Sequence, residues 1–324
     1  MLNRALKKFR GVEKKMKTEF VNIYINRYGY IFPSCKTYKD LPVAHLTDKD
    51  AKAKAFEHFG KEFRFYSITV ELSSACHANC LYCFQHDGIY KKYDYYNELK
   101  AFLTSVETER LFFSGGEILD QPDAITFLAE LRKEIPKAHF HLKTNGNAEL
   151  DKAKFIEDTF NSVVVSFNGF SDSSCRLIMG QNIDVKKTIA FVERLVSGAR
   201  VNVGIKFLIS PVVTAELIPF LEWALSIKPR CIIFQTAYRY LLKENGISER
   251  EGLTFSDYNN DYWTPVKSRI THQLKSLINA NSVNCGYNYL ASDKETAEVL
   301  GFNEELSSYF RMDGAYDLED NNDR

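Results

Sequence analysis

The chain is 324 residues long, 45% apolar and 26% charged, which excludes a disordered, collagenous or membrane-spanning polypeptide and leaves enough apolar material for a sizeable core. Lysine plus arginine equals aspartate plus glutamate at 42 each, so no global field gathers nucleic acid or anionic lipid, and neither is expected as a specific partner. No apolar run approaches the roughly 18 to 20 residues of a membrane span, and the basic residues 1–17 lack the apolar centre of a secretion signal, so a cytoplasmic location is expected.

Taken in chain order, residues 2–16 predict a basic amphipathic helix. Residues 21–32 predict a hairpin turning around Asn26-Arg27-Tyr28-Gly29, and 47–59 a helix begun by Thr47 and ended by Gly60. A regular rhythm follows. Strand-type runs stand at 65–72, 110–114, 139–143, 162–167, 201–209 and 231–235. Helical stretches separate them at 96–106, 122–134, 153–160, 185–196 and 215–227. Strands linked through helices predict a parallel α/β sheet, because parallel neighbours need crossovers. Beyond it, 245–263 is loop-rich, helices are predicted at 266–278 and 294–310, and 313–324 is an acidic, frayed tail.

Seven cysteines occur, and three of them lie in the loop after the strand-type run at 65–72: Cys76-His-Ala-Asn-Cys80-Leu-Tyr-Cys83. The chain is too long and too poor in cysteine for a disulfide scaffold. Three thiolates at this spacing can reach three corners of a cubane iron–sulfur cluster and leave one iron open to chelate a small molecule. Zinc is the competing ligand; it normally closes its tetrahedron with a fourth local donor, and His77 and His86 are near enough to be considered. At the end of the next strand stands Ser114-Gly115-Gly116-Glu117, where two glycines allow close backbone approach and a carboxylate stands ready for an ammonium. Both motifs fall at carboxyl ends of neighbouring strands, the usual place for sites in such sheets.

The C-x3-C-x-aromatic-C loop with Tyr82 before Cys83, followed by Gly-Gly-Glu, resembles the radical S-adenosylmethionine (radical SAM) superfamily over about 65–237. The resemblance implies an α/β fold with an incomplete (β/α)6, TIM-like barrel at 65–237. An N-terminal accessory region at 1–64 and a C-terminal helical region at 238–312 would flank and close it. It implies that Cys76, Cys80 and Cys83 bind a [4Fe–4S] cluster, and that Gly115, Gly116 and Glu117 receive the amino group of S-adenosylmethionine. Tyr82 would lie by the adenine, the stretch Lys143-Thr144-Asn145-Gly146 would line the site, and Ser166 and Asn168 would reach the ribose or methionyl end. Arg176 is the candidate partner for the methionyl carboxylate. The implied chemistry is reductive cleavage of the cofactor to a 5′-deoxyadenosyl radical, followed by hydrogen abstraction from carbon. An electron donor such as flavodoxin or ferredoxin is then expected.

Four lone cysteines remain: Cys35, Cys175, Cys231 and Cys285. No cysteine follows Cys285 in this sequence, so the auxiliary cluster that the C-terminal extension of many members of that superfamily carries is not expected. Cys231 reads as a small apolar residue of a strand. Cys285 or Cys175 is a candidate hydrogen-atom donor to a substrate radical. The expected substrate is a peptide or protein side chain, with a nucleoside, sugar or other metabolite as the alternative. A non-catalytic cluster- or zinc-binding scaffold is the reading outside enzymology.

Overall fold

The computed structural model describes residues 20–26, 29–31, 64–83, 96–236 and 285–287. The helices expected at 2–16, 47–59, 266–278 and 294–310 and the acidic tail lie outside those residues.

Strands β1 (Phe20–Asn26) and β2 (Gly29–Ile31) pair antiparallel through Asn26 and Gly29, as the turn signal predicted. The barrel-type strands follow: β3 (Arg64–Glu71), β4 (Thr108–Ser114), β5 (His139–Thr144), β6 (Ser162–Phe167), β7 (Asn202–Ile209) and β8 (Cys231–Thr236). Each is parallel to the next, as expected. Two additions were not read from the sequence. β1 lies parallel beside β3, and β9 (Cys285–Tyr287), inside the stretch expected to be helical, lies parallel beside β8. The full order is β2-β1-β3-β4-β5-β6-β7-β8-β9, an open sheet.

Helices α1 (Tyr96–Ser105), α2 (Pro122–Glu134), α3 (Lys152–Thr159), α5 (Val185–Gly198) and α6 (Leu217–Ile227) pack neighbour on neighbour in that order. The predicted 215–227 helix divides here: Pro211–Glu216 is a 3-10 segment, and regular helix starts at Leu217. A short helix that the periodicity did not show, α4 (Asp172–Met179), follows β6 and opens with a Ser171/Ser174 capping box.

Alternation along the strands separates two faces. Leu111 and Phe113, Phe140 and Leu142, Val163 and Val165, Ile205 and Phe207, and Ile232 and Phe234 all join one buried cluster with the helices. Burying each such side chain stabilises the fold by about 1.5–3 kcal/mol. The opposite face carries Arg110, Phe112 and Ser114 on β4, His141 and Lys143 on β5, Ser162 and Ser166 on β6, and Lys206 on β7. Register ties these residues into rows: Phe112 opposite His141, His141 opposite Ser162, and Ser166 opposite Lys206. A closed eight-stranded barrel fills this side with branched apolar residues. Here Val164 and Ile233 stand among polar residues on that face, and the register that sets Lys206 between Ser166 and Ile233 puts it on the inner side.

Low on that inner face, His141 stacks on Phe112 with ring centroids 4.5 Å apart, and its Nδ1 bonds the Ser162 hydroxyl. Its Nε2 is buried without a partner among the described residues. Burial, with Arg110 and His139 nearby, pushes its pKa down to about 3. The unfolded chain, with an ordinary histidine value near 6.5, therefore takes up a proton in acid that the folded chain refuses. Stability contributed by the neutral ring is whole above about pH 6.5 and is lost as pH falls from there towards 3. Between pH 7 and 5 this contribution falls by about 2 kcal/mol. Urea titrations at the two pH values should show that much more acid sensitivity in the wild type than in His141→Gln; equal sensitivity would contradict a neutral, buried ring.

Candidate functional site

The loop that follows β3 is fixed on three sides. On the first, Leu72 donates its N–H to the Ser114 carbonyl at 3.1 Å, while Gly116 and Glu117 donate back to Ser73 and Ala75 at 2.5 and 2.9 Å. On the second, Asn79 and Leu81 donate to the carbonyls of Met179 and Ile178 at 2.7 and 2.9 Å. Those are last-turn carbonyls of α4, which have no partner within the helix. The third is Asp120, whose Oδ2 takes both the His77 backbone N–H at 3.2 Å and its ring Nδ1 at 2.5 Å. His77, considered as a fourth metal ligand, thus spends one ring nitrogen on Asp120, which also raises its pKa. His86 lies outside the described residues.

The two glycines line the cavity and also admit the protein's own backbone at close range. A Cβ on Gly116 would collide with the Ala75 carbonyl, and one on Gly115 with that of Ser73. Gly115 also holds φ +137°, which side chains rarely adopt. Protein backbone takes up this space first, and the close approach is what locks the β4 end to the cysteine loop.

Glu117 is buried, and its carboxylate gathers the neighbouring strand ends. Oε1 accepts from the Thr144 hydroxyl at 2.7 Å and the Leu119 N–H at 3.2 Å; Oε2 accepts from the Asn145 N–H at 2.7 Å. Burial pushes its pKa up, against the pull of these hydrogen bonds. Thr144 also accepts the Gly146 N–H at 3.0 Å, so its hydroxyl is engaged within the protein. Asn145, fixed through its backbone, directs its amide Nδ2 to the Cys76 sulfur at 3.9 Å.

These groups surround one cavity. Cys76, Cys80, Cys83 and Tyr82 form one side of it. Gly115, Gly116 and Glu117, Thr144 and Asn145, and Ser166 and Asn168 supply the strand ends. The sequence therefore named most of the wall. It did not single out Ser74, Ala78 or Met179, whereas Lys143 stands in the stretch expected to line the site. Asn168 is buried, and its Oδ1 has no hydrogen-bond partner among the described residues. An acceptor left open at a cavity wall calls for a donor from outside the protein.

Other expected residues are not brought together. Arg176 is exposed on α4 and does not line the cavity. Cys175 is buried in α4, its thiol pushed up to about 12 by burial and by Glu216, and it too is absent from the wall. Cys285 lies on β9, opposite Ile232 in register. Cys231 is buried opposite Gly204.

The donor set fits a cluster better than a single ion. Among the described residues no group of three or more His, Cys, Asp or Glu side chains is gathered for one metal ion. Three thiols that share a cavity without converging on one point suit a cubane, in which each sulfur holds its own iron. Burial, with Glu117 adding to it, pushes Cys76 up to about 12; burial raises Cys80 as well. Both are neutral thiols in the metal-free protein, and ligation must release their protons.

Residues 70–222 match the family model of the radical SAM superfamily. Among solved structures, the fold is similar to Streptococcus suis SuiB bound to S-adenosylmethionine, with a TM-score of 0.54 and 12% identity over 73% of this chain and 52% of that one. SuiB bound to its precursor peptide SuiA gives 0.54 and 12% over 89% and 61%. Native anSMEcpe with bound AdoMet and the Kp18Cys peptide gives 0.51 and 18% over 68% and 63%. The chain spans about half to three fifths of the SuiB structures it matches. At these identities the likeness is one of fold. No curated protein matches the sequence. No helix among the described residues is long and apolar enough to cross a membrane.

Proposed function

The chain is an enzyme of the radical SAM superfamily, and from that premise we propose that it abstracts hydrogen from a carbon of a peptide or protein side chain. Cys76, Cys80 and Cys83 would hold the [4Fe–4S] cluster, with Gly115, Gly116, Glu117, Tyr82, Ser166 and Asn168 around S-adenosylmethionine. Once bound and reduced, the pair supplies homolytic cleavage of a carbon–sulfur bond, the source of a carbon radical able to take hydrogen from an unactivated position.

This chain's own residues then have defined work. Asn145 offers its amide N–H to the Cys76 sulfur, which stabilises negative charge on that ligand. Glu117 holds Asn145 in place and ties three loops into one wall, so the donor geometry is set before any ligand arrives. Asn168 presents an open acceptor to a hydroxyl or ammonium of the cofactor. An electron donor of the flavodoxin or ferredoxin class and a cytoplasmic setting complete the proposal.

The convergence of the three thiols, the Gly-Gly-Glu wall and the open Asn168 acceptor on one cavity carries the reading. The peptide assignment is supported by two similar folds having been solved with peptides bound. Anaerobic reconstitution with iron and sulfide, followed by reduction with S-adenosylmethionine, should yield 5′-deoxyadenosine from the wild type. Cys80→Ala should yield none above background. Zinc in stoichiometric amount, or a cluster whose spin-resonance signal ignores the cofactor, would favour the scaffold reading instead.

A further inference from the structure

We propose that Lys143 and Lys206 together receive a carboxylate of the substrate inside the barrel, so that the peptide selected presents an acidic side chain or its C-terminus to the cavity. This site presupposes the radical SAM reading of the same cavity.

Both lysines stand on the inner, polar face of the sheet. Lys143 lines the cavity; Lys206 does not line it itself but lies opposite Ser166, a wall residue, and is only 7% exposed. Burial, with the Lys143 charge adding to it, holds the Lys206 amine well below the usual lysine range. Neither makes a hydrogen bond or an ion pair with any described residue. Glu71 acts on Lys143 from a distance, and the Cys80 sulfur on Lys206 once ligation has taken its proton. Lys143 is exposed to the cavity, whereas Lys206 has left water without gaining a hydrogen-bonded anion, which is destabilising, and the Lys143 charge adds to that cost. A carboxylate between them would relieve the repulsion and take N–H donors from both, the strong, charge-assisted kind of hydrogen bond.

The cofactor also carries a carboxylate. Register argues for the substrate at Lys143, which is level with Val164 and Gly204, one inward step below Asn145 and Ser166 at the strand ends; Lys206 stands in the row above, level with Ser166. The row beneath continues polar through His141 and Ser162. An anion drawn to Lys143 therefore sits deeper in the barrel than the residues assigned to the cofactor.

The test uses reconstituted holoenzyme with saturating S-adenosylmethionine, and glutarate as the probe. With the cluster reduced and paramagnetic, the methylene proton signals of glutarate should broaden, and those of uncharged glutaramide should not. Lys143→Met and Lys206→Met should each weaken glutarate binding about tenfold or more, the scale of one charge-assisted hydrogen bond. Lys143→Arg and Lys206→Arg should restore much of it. S-adenosylmethionine affinity should stay within about twofold in all four variants, which also certifies that they are folded. Glutarate left unbroadened, or broadened equally in the Met variants, overturns the site. So does a Met variant that loses S-adenosylmethionine affinity but keeps affinity for its decarboxylated analogue, because the lysines would then serve the cofactor. A wild type that assembles no cluster fails the parent reading first, and is distinguished from these outcomes by its missing deoxyadenosine.

Discussion

Gly116→Ala should leave a protein that folds poorly around the cysteine loop and retains little iron after reconstitution. The added methyl has no soft neighbour to displace: it meets the carbonyl group of Ala75 and the backbone of Ser74. Relief requires the two chains to part, and parting breaks the Gly116-to-Ser73 and Glu117-to-Ala75 hydrogen bonds. Overpacking at about 1–3 kcal/mol and two hydrogen bonds at about 1 kcal/mol each give a loss of roughly 3–5 kcal/mol. Gly198→Ala is the control, since a Cβ there meets the side-chain ends of Glu157 and Arg194. It should keep wild-type iron content. Urea midpoints and iron per chain measure both effects, and a Gly116→Ala protein with normal values for each would show that the two strand ends do not touch as described.

Glu117→Ala should cost nearly as much by a different route. Its carboxylate satisfies the Thr144 hydroxyl and the N–H groups of Asn145 and Leu119. Truncation strands these donors beside a cavity, for a loss of about 4 kcal/mol. Glu117→Gln keeps the shape but turns an amide N–H against the Asn145 N–H, and should cost about half as much. Because Asn145 is then unanchored, its contact with the Cys76 sulfur should loosen, which would appear as a change in the cluster's spin-resonance signal in the Gln variant. Unchanged stability in both variants would mean that the carboxylate braces nothing.

The parts of this site that could be read from sequence are those whose spacing is local. Cys76, Cys80 and Cys83 share one loop, and Gly115, Gly116 and Glu117 are consecutive. The polar inner face was partly visible too, since His139-Phe140-His141-Leu142-Lys143 alternates in plain view. What escaped depends on residues distant in sequence. Nothing near Glu117 says that Thr144 will donate to it, nor that the glycines before it face Ser73 and Ala75. Helix α4 was missed because Asp172–Met179 is too short to show a helical period. Yet its end carbonyls hold the cysteine loop. Strand β9 was missed for a related reason, as a strand of this length acquires meaning only from the β8 edge it joins.

The division of the sheet into an apolar outer face and a polar inner one also bears on how this chain can change over time. Free energy of folding is concentrated where β-strands meet helices, among residues such as Phe113, Phe140, Phe207 and Phe234. The lumen, where Val164 and Ile233 are mixed with polar residues, carries fewer large buried apolar side chains. Substitutions at lumen positions can therefore alter what is bound while leaving the scaffold intact, whereas the same number of changes on the outer face would exhaust the stability margin. The architecture separates the residues that must be kept from those free to explore, and gives one scaffold a means of acquiring new substrates stepwise.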